Sequence, residues 1–284
     1  MYPKAFEYLR ARSVEQAIEL LVEHGEDARL LAGGASLIPL MKLRLANPAY
    51  VIDIARVPGL SGVRIENGAF VVGALTRHVA MERHAELTAA LPVVHDAAAH
   101  IGDTQVRHMG TIGGGIAECD PAGDWPPVLL ALDGTVRTRG PRGERTIRAS
   151  ELFVDAYTTA LAPDEILTEV MLPIQPAAAH VKLERRAGDF AIANCSVALT
   201  LDGERCSSVR IGLGGVGACP VRVPAAEALL EGEQPGEERL AAAQQVVVDA
   251  TESFDDARGS ADYRRHVGGV VFRRAFDLAR QRAS

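Results

Sequence analysis

Residues 30–42 read LLAGGASLIPLMK. An apolar run meets a glycine pair, Gly33 and Gly34; Ser36 follows, and apolar residues return at helical spacing. Paired glycines remove the Cβ atoms that hold a ligand away and permit positive φ, so neighbouring N–H groups can converge on an anion. Ser36 can donate a hydroxyl hydrogen bond or cap a helix starting near Leu37, whose N-terminus favours negative charge. These residues alone leave two readings open: a phosphate site, or a strand-to-helix turn that only holds the fold together.

The surroundings fit either reading. Residues 13–24 predict a helix with Ser13 as N-cap, Gln16 completing a capping box, and Val14, Ala17, Ile18 and Leu21 on one face. Gly25 stops it. Residues 28–31 read as a strand, 37–45 as a second helix and 50–54 as another strand, a small α/β unit. After Pro58-Gly59 short strands take over, with Asn67-Gly68 a hairpin signal. Helical patterns return over 79–101. A Pro-flanked helix near PPVLLAL leads into an apparent hairpin, and 166–172 reads as a hairpin or edge strand. Residues 173–179 look like a linker. Beyond them come strands at 191–201 and 209–213, then helical stretches near Ala225, over 238–251 and over 261–282.

Two further glycine clusters need weighing. GLGGVG at 212–217 matches the letters of a dinucleotide fingerprint, but that motif needs its last glycine in the first turn of a helix, and Pro220 and Pro224 prevent one there. It reads as strand and turn. GTIGGG at 110–115 repeats the chemistry of the first cluster, with a hydroxyl at Thr111 and then consecutive glycines. Asp120 and Asp124 follow; they can accept hydrogen bonds from a ribose hydroxyl or a base amine, or cap the helix that begins near Pro126. Two such clusters in different units suggest one long ligand clamped between them, and a dinucleotide with a pyrophosphate fits.

Composition narrows the function classes. The chain has 284 residues, 48% hydrophobic content and a formal charge of -7, which suits a globular protein and argues against nucleic acid or an anionic membrane as partner. No secretory pattern is visible at the N-terminus and no stretch approaches the ~20 apolar residues of a membrane helix, so cytoplasm is the expected location. The four cysteines form no C-x-x-C pair, hence no disulfide framework or iron–sulfur site within the chain. The eight histidines make no H-E-x-x-H, and His95 and His100 do not share a helix face as a metal pair would.

Three stretches, AGGASLIPLMKLRLANPAYVIDIARVPGL, IGDTQVRHMGTIGGGIAECDPAGDWPPVLLAL and KLERRAGDFAIANCSVAL, together resemble the FAD-binding medium subunit of the molybdenum hydroxylases, the carbon monoxide dehydrogenase and xanthine dehydrogenase group. The resemblance runs from Tyr2 to the C-terminal GSADYRRHVGGVVFRRAF. It implies an α+β fold: a two-subdomain FAD-binding domain of the vanillyl-alcohol oxidase type (1–57 and 58–175), followed by a smaller α+β C-terminal domain of the carbon monoxide dehydrogenase flavoprotein type (176–284). By the same resemblance Ala32, Gly33, Gly34, Ala35 and Ser36 embrace the FAD pyrophosphate from one side, and Thr111, Ile112, Gly113, Gly114 and Gly115 from the other. Ile101 lines the cleft, Asp124 binds the ribose or adenine end, Leu167 contacts the isoalloxazine region through its backbone, and Lys182 sits near the ring; its other reading is a surface charge. Where many relatives read G-S/N-x-A-H-A-D-P, this chain has Gly115, Glu118 and Cys119, the cysteine being either a packing residue or a group near the flavin.

The implied role is electron transfer. The chain accepts electrons from [2Fe–2S] clusters on a small partner subunit, which receives them from a large molybdenum-cofactor subunit, and FAD passes them to an external acceptor. The expected assembly is a dimer of heterotrimers, and no residue of this chain is expected to be catalytic. The alternative is an autonomous FAD-dependent oxidoreductase using the same fold on its own small-molecule substrate.

Overall fold

The computed structural model describes residues 2–283. It opens on strand β1 (Glu7–Arg10), helix α1 (Val14–His24), β2 (Ala28–Leu31), α2 (Leu37–Leu43) and β3 (Tyr50–Asp53). The strands form a parallel sheet in the order β1-β3-β2. The α1 boundary follows from local chemistry. Ser13 Oγ accepts from the Gln16 N–H at 3.1 Å, Gln16 Oε1 accepts from the Arg12 N–H at 2.8 Å, and Gly25 ends the helix at φ 51°. Ala17, Ile18 and Leu21 point into a small core with Ile52 and Ile54. The unanticipated β1 pairs with β3 at the sheet edge, and α2 stops at Leu43, with Arg44 left-handed at φ 63°, rather than continuing to residue 45.

A second unit follows: β4 (Val63–Glu66), β5 (Ala69–Gly73), α3 (His78–Glu82), α4 (Ala85–Ala90), α5 (Pro92–Ala99), α6 (Thr104–Met109), α7 (Ile112–Glu118) and α8 (Trp125–Ala131). Next come β6 (Thr135–Gly140), β7 (Gly143–Arg148), α9 (Ala149–Leu152), β8 (Phe153–Asp155), β9 (Thr158–Thr159) and β10 (Ile166–Pro173). The Asn67-Gly68 hairpin forms with both residues at positive φ. Residues 166–172 are no edge strand: β10 is the middle strand of the order β4-β5-β10-β6-β7, paired on both sides. Phe70, Val72, Val136 and Val170 of this sheet pack beneath α3–α5 and α8.

The C-terminal unit comprises β11 (Ala178–Glu184), β12 (Ala191–Asp202), β13 (Arg205–Gly214), β14 (Val221–Arg222), α10 (Pro224–Leu230), α11 (Glu237–Asp249) and α12 (Ala261–Arg282). Its sheet is antiparallel in the order β11-β12-β13-β14. The expected linker is shorter than 173–179, because Pro173 ends β10 and Ala178 and Ala179 already belong to β11. Strand alternation splits this sheet between two cores. Ala179, Cys195, Val197, Ile211 and Leu213 face α12 through Val271, Phe272, Ala275 and Phe276, whereas Ala178 and Ala198 join the core of the preceding unit. The inner face therefore lies against α5 and α8. Gly212 makes that approach possible, since a Cβ there would stand 2.3 Å from the Pro127 carbonyl oxygen of α8. GLGGVG is accordingly a packing feature of β13 and the bend after it.

Candidate functional site

The two N-terminal glycine segments meet. A Cβ on Gly33 would lie 1.9 Å from the Met109 carbonyl oxygen and 2.9 Å from the Gly110 Cα, so the turn after β2 abuts the junction of α6 and α7 backbone to backbone. Gly33 thus makes room for the chain rather than for a ligand. Gly34 is the residue of the pair at positive φ, 73°. Among the described residues none accepts from the backbone N–H of Gly34, Ala35 or Ser36. Ser36 stands at the N-cap of α2, but its side chain makes no capping bond; the hydroxyl remains available to the cleft that this turn borders.

The second cluster is helical. Thr111 caps α7, its Oγ1 accepting from the Gly114 N–H at 3.2 Å. Gly113 lets the helix press on the segment just after β5, because a Cβ there would be 2.5 Å from that of Ala74. The N–H groups of Ile112 and Gly113 go to the carbonyls of Thr76 and Ala74. Gly114, Ala117 and Glu118 form the face of α7 that looks into the cleft, and the nearest atom to a Cβ on Gly114 would be Thr111 Oγ1, at 2.8 Å.

The cleft between these segments measures about 820 Å³, within the ~300–1,000 Å³ common for cofactor sites. Ala32, Gly33, Gly34, Ala35, Ser36, Ile101, Thr111, Gly113, Gly114, Gly115, Asp124, Leu167 and Lys182 all border it. Ile112 does not; it is fully buried in the core. Leu167 is 6% exposed at the start of the central strand β10.

Asp124 heads α8 without capping it through its side chain. Its carboxylate instead turns to the C-terminal sheet. Oδ1 accepts from Asn194 Nδ2 at 3.2 Å and lies 3.2 Å from His180 Nε2, while Oδ2 accepts from Lys182 Nζ at 3.1 Å. The β11–β12 register explains the convergence: Lys182 faces Asn194 and His180 faces Ser196, which puts four polar side chains on the inner face of the sheet. Burial pushes the Asp124 carboxyl up, but the His180 hydrogen bond and the Lys182 charge outweigh it, and Asp124 sits below its ordinary value. Lys182 is no surface charge. Its side chain is 2% exposed, and Nζ also donates to the His100 carbonyl at 2.9 Å and lies 3.5 Å from Glu184 Oε2.

Other titratable groups border the cleft. His78 is buried and accepts from Trp125 Nε1 through Nδ1 at 3.1 Å; burial lowers its pKa to about 4, so the ring is neutral at physiological pH. Burial, then the neighbouring Asp120, raise Glu118 above its ordinary value. Asp120 itself accepts from the Ala122 N–H at 2.8 Å and from the Tyr157 hydroxyl at 3.3 Å. Cys119 is fully buried, and its thiol is pushed by burial up to about 11: a packing residue. Among the described residues no group of His, Cys, Asp and Glu is arranged to hold a metal ion, and no helix is long and apolar enough to cross a membrane.

Sequence reasoning missed His78, His180, Asn194 and Ser196. The signal for the last three was the alternation of polar and apolar residues in HVK and NCSV, legible only once both segments are known to be strands.

The model for the family described as "FAD binding domain in molybdopterin dehydrogenase" matches residues 4–175, and that described as "CO dehydrogenase flavoprotein C-terminal domain" matches 178–279. The chain is 39% identical to the carbon monoxide dehydrogenase medium chain of Afipia carboxidovorans, over 100% of this chain and 99% of the relative. It is 40% identical to the nicotine 6-hydroxylase medium subunit of Paenarthrobacter nicotinovorans, over 95% of each. Among solved structures, a carbon monoxide dehydrogenase from Hydrogenophaga pseudoflava superposes with a TM-score of 0.98 at 39% identity, and quinoline 2-oxidoreductase from Pseudomonas putida 86 with 0.93 at 28%, each over 100% of both chains.

Proposed function

The chain belongs to the family of FAD-binding medium subunits of molybdenum-containing dehydrogenases, and from that premise we propose that it is the electron-transfer subunit of a cytoplasmic complex. It takes electrons from [2Fe–2S] clusters on a small subunit, in an assembly that includes a large molybdenum-cofactor subunit as a dimer of heterotrimers, and delivers them to an external acceptor. Boundaries near 57 and 175 divide its FAD-binding part from within and from the C-terminal domain.

One observation carries the reading: two glycine segments from different units abut at Gly33 and Met109 and border one cleft of about 820 Å³. Bound there, FAD supplies the redox chemistry that no side chain of this chain provides. The open N–H groups of Gly34, Ala35 and Ser36 and the cleft face of α7 at Gly114 and Gly115 fit an extended pyrophosphate. Ala32, Gly33, Thr111 and Gly113 shape the walls, and Ile112 holds α7 in place from behind. Ile101 and Leu167 supply apolar wall, and Asp124 an acceptor for the ribose or adenine end. Lys182 keeps a positive charge beside the site and holds Asp124 ionised.

Native mass spectrometry with absorption spectroscopy on the complex purified from its source tests this. Stoichiometric FAD, [2Fe–2S] and molybdenum in associated subunits are expected. Folded protein free of flavin overturns the cofactor site, and substrate turnover by the isolated chain overturns the electron-transfer role.

A further inference from the structure

The buried polar face of the C-terminal sheet contains a relay that ends on Asp124. Ser196 Oγ lies 2.8 Å from His180 Nδ1, and His180 Nε2 lies 3.2 Å from Asp124 Oδ1. Ser196 is 0% exposed and His180 3%, so neither meets solvent, and Ser196 is not among the residues that border the cleft. An Asp–His–Ser line of this kind is a nucleophile's geometry only where the serine reaches substrate. This serine faces the protein interior, which leaves the relay a different task.

That task is to hold the ring. A neutral imidazole has one N–H and one lone pair. The Asp124 carboxylate has only lone pairs to offer, so the histidine must present Nε2–H, which leaves Nδ1 as an acceptor. The Ser196 hydroxyl is the donor that suits it. The opposite tautomer would aim the Nε2 lone pair at a carboxylate. Asn194 cannot compensate by turning, because its amide donates at once to the Gly123 carbonyl, at 3.1 Å, and to Asp124 Oδ1. The His180 backbone is held as well. Asp96 Oδ2 accepts from the His180 backbone N–H at 3.1 Å, and Asp96 is clasped by the Arg282 guanidinium at 2.6 and 2.9 Å.

We propose that Ser196 is a positioning residue for flavin retention: its hydroxyl donates to Nδ1 and so holds the imidazole that Asp124 keeps as Nε2–H, and that proton holds Asp124 in the orientation that meets the cofactor. The inference rests on Asp124 being a flavin contact. It makes the C-terminal domain a determinant of how tightly the N-terminal domain keeps its cofactor, through groups that never touch it.

The test is Ser196→Ala in the full-length chain, with FAD release followed by flavin fluorescence at neutral pH, and with the His180 tautomer and Nδ1 hydrogen bond read by 15N NMR of the flavin-free protein. The charged and titratable groups around the ring are Asp124, Lys182, Glu184, Asp96 with Arg282, and His78 beyond Asp124; all are retained in the variant. Losing one hydrogen bond from a buried relay predicts release about threefold to tenfold faster than wild type at neutral pH. A simple packing defect would leave the Nδ1 resonance where it is in the wild type. The NMR signature expected is Nε2–H in both proteins, with the Nδ1 resonance of the variant shifted toward that of an acceptor that has lost its hydrogen bond. Wild-type release rates in the variant, an unmoved Nδ1 resonance, or an Nδ1–H wild type each overturn the proposal. A wild-type chain that binds no FAD overturns the functional reading instead, and the NMR result still decides the tautomer.

Discussion

Lys182 Nζ stands 3.1 Å from Asp124 Oδ2, and the two side chains, 2% and 7% exposed, join β11 of the C-terminal sheet to the head of α8 in the preceding unit. A buried ion pair gains little net stability over an apolar pair, but removing one partner strands the other charge. Lys182→Met should therefore cost about 3–5 kcal/mol in urea unfolding, and adding Asp124→Asn should recover part of it. Acid provides a second check. Asp124 is depressed in the folded state, so its contribution is present above the unfolded value near ~3.9 and lost as pH falls below it. Asp124→Asn should flatten the stability profile in that range; an unchanged profile would show that the pair carries no linkage.

His78 acts in a higher window. Its unfolded imidazole titrates at 6.5 and the folded one at about 4. Between these values the unfolded chain binds the extra proton, so stability fully present above 6.5 declines toward 4. At 1.36 kcal/mol per pKa unit the decline is roughly 3 kcal/mol. His78→Gln, which can still accept from Trp125, should lack this component. Equal slopes for wild type and variant between pH 6.5 and 4 would contradict the burial argument.

Gly212→Ala tests the packing role of the fingerprint-like GLGGVG. Its Cβ would come within 2.3 Å of the Pro127 carbonyl oxygen, a backbone atom that cannot rotate away. A loss of about 1–3 kcal/mol is expected, as for other overpacked cores. FAD content should fall with it, because α8 carries Asp124. A variant of wild-type stability would mean that β13 and α8 have slack between them.

The legible parts of the fold were those written locally. Ser13 and Gln16, Asn67-Gly68 and the prolines after Gly217 act through neighbours in sequence, and each element they mark formed as expected. The helix at Ile112–Glu118 was hidden because each interior glycine costs about 1 kcal/mol against alanine. What restores it is tertiary: Gly113 against Ala74, and the cap from Thr111. Strand β10 was read as a hairpin or edge strand because its two partners come from segments upstream, and nothing within 166–172 encodes that choice. The polar face around Asp124 was out of reach for the same reason, since His180, Lys182 and Asn194 follow it by 56, 58 and 70 residues. Recognisable motifs identified the cleft walls, but not the domain that stiffens one of them.

The glycines of the two clusters should separate by variant. Alanine at Gly33 drives a Cβ to 1.9 Å from the Met109 carbonyl oxygen, with the Gly110 backbone close behind, so the turn or α6 must move. A loss of about 1–3 kcal/mol is expected, with flavin lost as a consequence. Gly114 faces the cleft, and its Cβ would crowd only Thr111 Oγ1. Alanine there gains about 1 kcal/mol of helix propensity against up to about 2 kcal/mol for a disturbed cap. Stability should therefore stay close to wild type. With the pyrophosphate where we propose it, it loses its room all the same, so Gly114→Ala should lower FAD occupancy and Gly114→Val should lower it further while the C-terminal domain stays folded. Measuring melting temperature and flavin content together on the three variants decides the matter. Gly33→Ala must lose both, and the Gly114 variants only flavin; full flavin content in Gly114→Val would move the pyrophosphate away from α7.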